Sequence, residues 1–153
     1  MIANNIRGNM NMCVFCMIAN GELPASIVYE DERVIAFLDL QPFTMGHVLV
    51  VPKAHVVSIT DLSNEDAGHL MQVGQLIDRA LQNSEIPCEG VNIILADGKS
   101  AGQDVDHVHM HVFPRFTGDH FGTCIDANIR LRANRDQLEG AAAKIRTAIE
   151  NLN

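Results

Sequence analysis

Residues 106–115 read DHVHMHVFPR, and no other stretch restricts the fold as much: histidine and apolar residues alternate strictly from His107 to Val112. A period of two belongs to an extended strand, in which successive side chains turn to opposite faces. His107, His109 and His111 therefore share one face at steps of about 6.7 Å, while Val108, Met110 and Val112 share the other. The apolar face needs a core behind it, and the histidine face lines a surface or cleft. One lone histidine is explained by a solvated amphipathic strand; three in register point to a site. The strand alone leaves open whether they hold a metal, attack a substrate or divide those jobs.

The flanking segments supply the rest of a fold. CVFCMIANGELP reads as a short helix or turn ending at Gly21 and Pro24. SIVYEDERVIAFLD gives two apolar runs around Glu30, Asp31 and Glu32, a hairpin pattern. HVLVVPK is a continuous apolar run bounded by Gly46 and Pro52, which implies a strand buried on both faces. From Ser63 to Gln82 a helical stripe runs through Ala67, Leu70, Met71, Gly74, Ile77 and Leu81, with Ser63 and Asp66 resembling an N-terminal cap. VNIILA and VDHVHMHVFP follow as strands, joined by DGKSAGQD, whose Gly98 and Gly102 suit a loop that brings backbone amides close to a ligand. Leu138, Ala142, Ile145, Ile149 and Leu152 mark a C-terminal helix capped within NRDQ. The order of strands, helix, strands, helix predicts an α+β fold: a largely antiparallel five-stranded sheet, one long central helix and a C-terminal helix.

At 153 residues the chain has room for one core and one site. The asparagine-rich opening, residues 1–11, is expected to be a disordered extension before a single domain over 12–153. No apolar run approaches the roughly 18 residues of a membrane span. A net charge of -8 opposes the broad basic face that a nucleic acid polymer requires, although a small phosphorylated ligand needs only a few local donors. MIANNIRGNMNM lacks the pattern of a secretory signal, so a cytoplasmic location is expected. There the four cysteines are read as thiols or metal ligands, with Cys88 and Cys124 as small structural residues.

Two chemistries fit the histidines. Zinc takes Cys sulfur and His nitrogen, usually as four ligands in structural sites, so Cys13 and Cys16 in CVFC make half a site and need two histidines from elsewhere. Nucleophilic catalysis needs one imidazole with a nitrogen aimed at the reacting atom and its other nitrogen held by a carbonyl. His109, central in the row, is well placed for attack.

The row His-φ-His-φ-His-φ-φ, with φ apolar, preceded by AGQDV and followed by PR, resembles the signature of the histidine triad (HIT) family of nucleotide hydrolases and transferases. CVFCMIANGELPASIVYEDERVIAFLDLQPFTMGHVLVVPKAH is similar to that family's N-terminal half, and the resemblance spans residues 12 to 122. It implies that His109 is the nucleophile, attacking the α-phosphorus to form a nucleotidyl-imidazole that water resolves. His111 and Gln103 correspond to phosphate-contacting positions and His47 to a further active-site histidine. Asp39 corresponds to the carboxylate that binds the ribose hydroxyls. Phe15, Ile18, Leu23, Phe37 and Leu40 correspond to the walls of the base pocket, although each is also the kind of residue that simply packs a core. In the zinc-bearing, bacterial-type branch, structural zinc is held at the positions of Cys13, Cys16, His55 and His107. Members of the family are commonly homodimers, paired through the central helix and a strand.

Two positions depart from the phosphoramidase branch: Ala96 stands where some members have asparagine, and Asp104 where they have a serine near the leaving amine. His111 stands where the uridylyltransferase relatives have glutamine, which points to hydrolysis rather than transfer. The resemblance thus implies a purine nucleotide hydrolase acting on phosphoramidate, dinucleotide polyphosphate or acyl-phosphate linkages. Two other readings stay open: a purine nucleotide sensor with incidental turnover, and a zinc buffer using all three strand histidines as ligands.

Overall fold

The computed structural model describes residues 13–119 and 131–152; the extension over residues 1–11 and Cys124 lie outside the described residues. The chain runs α1 (Val14–Ala19), β1 (Ile27–Glu30), β2 (Val34–Leu38), β3 (Val48–Pro52), α2 (Asn64–Gln82), β4 (Gly90–Leu95), β5 (Met110–Arg115) and α3 (Arg135–Asn151). The strands form one five-stranded sheet in the order β1-β2-β3-β5-β4, with every pair antiparallel. This is the expected α+β architecture. Among the described residues, no helix is long and apolar enough to cross a membrane.

The sheet has two unequal faces. One packs Val34, Ala36, Leu38, Val48, Val50, Met110 and Val112 against Leu70, Val73 and Ile77 of α2 and Leu138, Ala142 and Ile145 of α3. The other carries Ile35, Phe37, Leu49 and Val51, covered by Phe15 and Ile18 of α1. Strand β3 feeds both clusters, which is why its apolar run is unbroken and all five residues are buried. Because α1 has only six residues, it leaves room beside it on the second face, and that face bears the histidines.

Local signals set the ends of the helices. The Ser63 side chain accepts from Asp66 N, and Asn134 with Gln137 forms a reciprocal capping box. Within α2 the buried stripe is Leu70, Val73, Gly74, Ile77, Ala80 and Leu81, whereas Met71, expected in the stripe, is 54% exposed. The position after Leu70 is rotated about 100° around the helix from it, which takes Met71 off the sheet-facing side. The histidine strand also begins later than its sequence pattern: regular pairing starts at Met110, and Val105–His107 form a bend before it.

The β1–β2 turn is closed by one carboxylate. Asp31 Oδ1 accepts from the backbone N–H groups of Arg33 and Val34, and Oδ2 accepts from Tyr29 Oη at 2.8 Å and from His69 Nε2 of α2 at 2.6 Å. Burial alone would push the Asp31 carboxyl up, but these hydrogen bonds outweigh it and hold it well below its ordinary 3.8. Asp31→Asn is therefore expected to cost about 2 kcal/mol at pH 7, the range for hydrogen bonds to a charged group. Since the folded carboxyl is the more acidic one, its contribution is present above the ordinary value and fades as pH falls below it. Urea unfolding at pH 7 and pH 3 checks this; a deficit of equal size at both would contradict the charge-based account.

Candidate active site

Three segments converge on a Cys2His2 cluster. Cys13 caps α1 and Cys16 lies one turn further on, His55 follows β3, and His107 sits in the bend before β5. Cys13 Sγ lies 3.4 Å from His107 Nδ1, Cys16 Sγ 3.3 Å from His55 Nδ1 and 3.6 Å from His107 Nδ1, and the two Nδ1 atoms are 3.2 Å apart. Ligands about 2.0–2.3 Å from a tetrahedral ion stand about 3.3–3.8 Å from one another, so these separations are the edges of a zinc-sized tetrahedron. His107 Nε2 faces the Pro52 carbonyl at 2.8 Å and must carry the hydrogen, which leaves Nδ1 with its lone pair towards the cluster. Burial, opposed only by that carbonyl, holds the His107 imidazole down to about 4 and hence neutral. Burial and the neighbouring Cys13 push the Cys16 thiol up to about 11, so a nearby cation would be needed to favour its thiolate at neutral pH. The donor set thus fits zinc in composition, spacing and tautomer.

The other two histidines of the row are oriented differently. His109 is 1% exposed, and its Nδ1 lies 2.8 Å from the carbonyl of His107. A carbonyl only accepts, so Nδ1 carries the hydrogen and Nε2 the lone pair. That Nε2 stands 3.3 Å from Asp104 Oδ1. Phe15 meets the His109 ring edge-on with centroids 5.2 Å apart, and the His111 ring lies 4.9 Å away on another side.

His111 belongs to a relay. The Phe43 N–H donates to His47 Nδ1 at 3.1 Å, so neutral His47 carries its hydrogen on Nε2 and donates to His111 Nδ1 at 2.9 Å. Neutral His111 then carries its hydrogen on Nε2. His47 is fully buried, stacked on Phe43 with ring planes 12° apart. Asp39 closes the far end: Oδ1 accepts from Gln41 N and Oδ2 lies 3.6 Å from His47 Nδ1. Asp39, His47 and His111 therefore form one chain of polar groups.

Gln103 is buried, with its amide engaged inside the protein: Oε1 accepts from Gly98 N at 2.7 Å and Nε2 donates to the Val57 carbonyl at 2.8 Å. The Gly98 amide, expected to face a ligand, is thus bonded to Gln103, and the side chain fixes the loop that carries Asp104. Among the expected base-pocket residues, Phe15, Ile18 and Phe37 are buried in the second-face cluster, with Leu23 packed at its margin. Leu40 is 57% exposed beside Asp39, outside that cluster. Ala96 precedes Asp97, whose carboxylate accepts from Ser58 Oγ and Ile59 N, tying the loop to the segment after His55. Two features had no local signal in the sequence: the Pro52 carbonyl that sets the His107 tautomer, and Phe43, which supplies both a donor and a stacking surface to His47.

The HIT domain family model matches residues 20–118, and the chain belongs to that family. It is 43% identical over 108 residues to an uncharacterised HIT-like protein of Methanocaldococcus jannaschii, covering 71% of this chain and 82% of that one. It is 35% identical over 103 residues to the adenosine 5'-monophosphoramidase of Schizosaccharomyces pombe, covering 67% and 74% of the two. Among solved structures, a zinc-bound histidine triad family protein of Mycobacterium smegmatis superposes with a TM-score of 0.81 at 40% identity, covering 94% of this chain and 97% of that one.

Proposed function

We propose that the protein is a cytoplasmic hydrolase that cleaves purine nucleotide conjugates at the α-phosphate through a nucleotidyl group carried on His109. The observation that carries this reading is the orientation of His109: Nδ1–H on a backbone carbonyl, which in the neutral ring leaves the lone pair on an Nε2 that faces Asp104, with a second imidazole, His111, beside it. Nε2 attacks the phosphorus while His111 Nε2–H hydrogen-bonds a phosphate oxygen. The His107 carbonyl then stabilises the positive ring of the intermediate, and water restores His109. Asp39 takes the ribose hydroxyls, with Phe15, Ile18, Leu23, Phe37 and Leu40 on the base side. Cys13, Cys16, His55 and His107 would hold zinc, which ties α1 to the sheet and supplies no chemistry to the reaction.

Support comes from the similarity to the fission yeast phosphoramidase and from the zinc-bound mycobacterial structure. The geometry disfavours a zinc buffer built on all three strand histidines, since His109 and His111 are engaged away from the cysteines. A homodimer pairing β4 and α2 is part of this reading, because β4 ends the sheet with Ile93 exposed and Met71 stands exposed on α2.

Native mass spectrometry after brief, acid-free mixing with adenosine phosphoramidate tests these points together. The expected result is a dimer with one zinc per chain and a nucleotidyl adduct that is absent from His109→Ala. A monomer, substoichiometric zinc, or tight nucleotide binding with no adduct and no turnover would each remove its part of the reading, the last in favour of a nucleotide sensor.

A further inference from the structure

Asp104 is the acidic side chain at the nucleophile. Its Oδ1 lies 3.3 Å from His109 Nε2, its side chain is 66% exposed, and among the described residues no basic side chain other than His109 is within ion-pair reach of it. Reacting atoms approach to about 3–3.5 Å before bond formation. A phosphorus poised for attack would therefore take up the same distance from Nε2 that the carboxylate oxygen occupies, and the side chain must shift to stand beside the phosphoryl group. The Asp104 backbone is held close by: Gln103 is anchored on both amide atoms, and Gly102 turns the chain with φ of 94°. The carboxylate can swing aside without leaving the site.

We propose that Asp104 determines leaving-group preference, favouring conjugates whose leaving group departs as a cationic amine over those whose leaving group departs as a polyphosphate. The inference rests on the hydrolase reading above and narrows its substrate class to phosphoramidates. Repulsion between the carboxylate and the α-phosphate is common to all substrates, so it cancels in their ratio. What differs is the charge that departs. At about 4 Å in water-like surroundings each unit of charge changes a rate by roughly fivefold, and an ammonium and a nucleoside diphosphate differ by several units.

The chemistry balances without a further reactant. The His109 Nε2 lone pair forms the N–P bond as the P–N bond to the amine breaks. The leaving nitrogen keeps that electron pair, takes up two protons from solvent and departs as ammonium, which the Asp104 carboxylate attracts. Water then forms the P–O bond, the N–P electron pair returns to Nε2, and two protons go back to solvent.

The experiment compares kcat/KM of wild type, Asp104→Asn and Asp104→Glu on three substrates: adenosine phosphoramidate, an adenosine phosphoramidate whose amine bears a second, cationic group, and diadenosine triphosphate. Asp104→Asn is expected to lower the preference for the cationic phosphoramidate over the dinucleotide by at least about tenfold, with Asp104→Glu near wild type and the difference shrinking as salt rises. Unchanged ratios in Asp104→Asn, with adduct formation intact, would overturn the proposal. So would equal loss on all three substrates without rescue by Asp104→Glu, which would mark a structural role. A wild type that forms no adduct with any substrate would instead remove the hydrolase reading on which the proposal rests.

Discussion

Replacing His109 by alanine is expected to lower turnover of adenosine phosphoramidate by roughly 10⁴- to 10⁶-fold, the size of loss seen when a catalytic nucleophile is deleted, with nucleotide affinity and zinc content largely kept. The reason lies in what each nitrogen of the ring faces. Nδ1–H is committed to the His107 carbonyl, so in the neutral ring the lone pair sits on Nε2. Deleting the ring leaves no imidazole among the described residues of the site with that orientation, because the lone-pair nitrogen of His47 faces Phe43 N and that of His111 faces His47.

The same logic orders the neighbours. His111→Ala removes one donor to the phosphate and is expected to cost about 10²–10³-fold. In the proposed mechanism His47 reaches the substrate through His111, to which it is hydrogen-bonded, and its loss should cost less in rate. Because His109 is buried, His109→Gln serves as the control that keeps side-chain volume without a nucleophilic nitrogen. Steady-state rates for these variants, beside nucleotide affinity by calorimetry, decide between an enzyme and a nucleotide sensor. Turnover that survives in both His109 variants would refute the mechanism.

How much of this was legible in the sequence depends on how far each feature is local. The ends of α2 and α3 were readable because Ser63 and the Asn134–Gln137 pair complete their hydrogen bonds within three residues. The double-sided burial of β3 was readable because an unbroken apolar run leaves no polar face. The start of β5 was not, since alternation continues through His107 and His109 while those residues make other commitments: a bend, the cysteine cluster, and Val108 N bonded to the Val56 carbonyl. Met71 and Leu40 show the limit of apolar character as a guide, because whether such a residue is covered depends on which element arrives from elsewhere. The Cys-x-x-Cys spacing marked only half a metal site; its other half comes from residues 39 and 91 positions beyond Cys16, and the family resemblance, not the spacing, singled them out. Gln103 was visible as a position but not as an anchor, for its partner Val57 is 46 residues away.

Disabling the Cys2His2 cluster is expected to have the largest effect on stability. Cys16→Ser removes the sulfur that approaches both His55 and His107, and should abolish tight zinc binding. A ligand present at about a thousand times its Kd contributes about 4 kcal/mol to the folded state, which for a chain of this length corresponds to a Tm lowered by roughly 10 °C on its loss. The drop should stop short of global unfolding, because the larger cluster between the sheet and α2 and α3 contains none of the four ligands. What would loosen is the second face: α1 is held to the sheet by Phe15 and Ile18, to which bound zinc would add, and His107 is the candidate ligand whose backbone carbonyl positions His109. Rate and stability should therefore fall together. Chelation of the wild type should reproduce both losses and added zinc should reverse them, whereas Cys16→Ser should not respond to zinc. Differential scanning fluorimetry with parallel metal analysis reads each arm. A Cys16→Ser protein with full zinc and unchanged Tm would show that the cluster is not a metal centre.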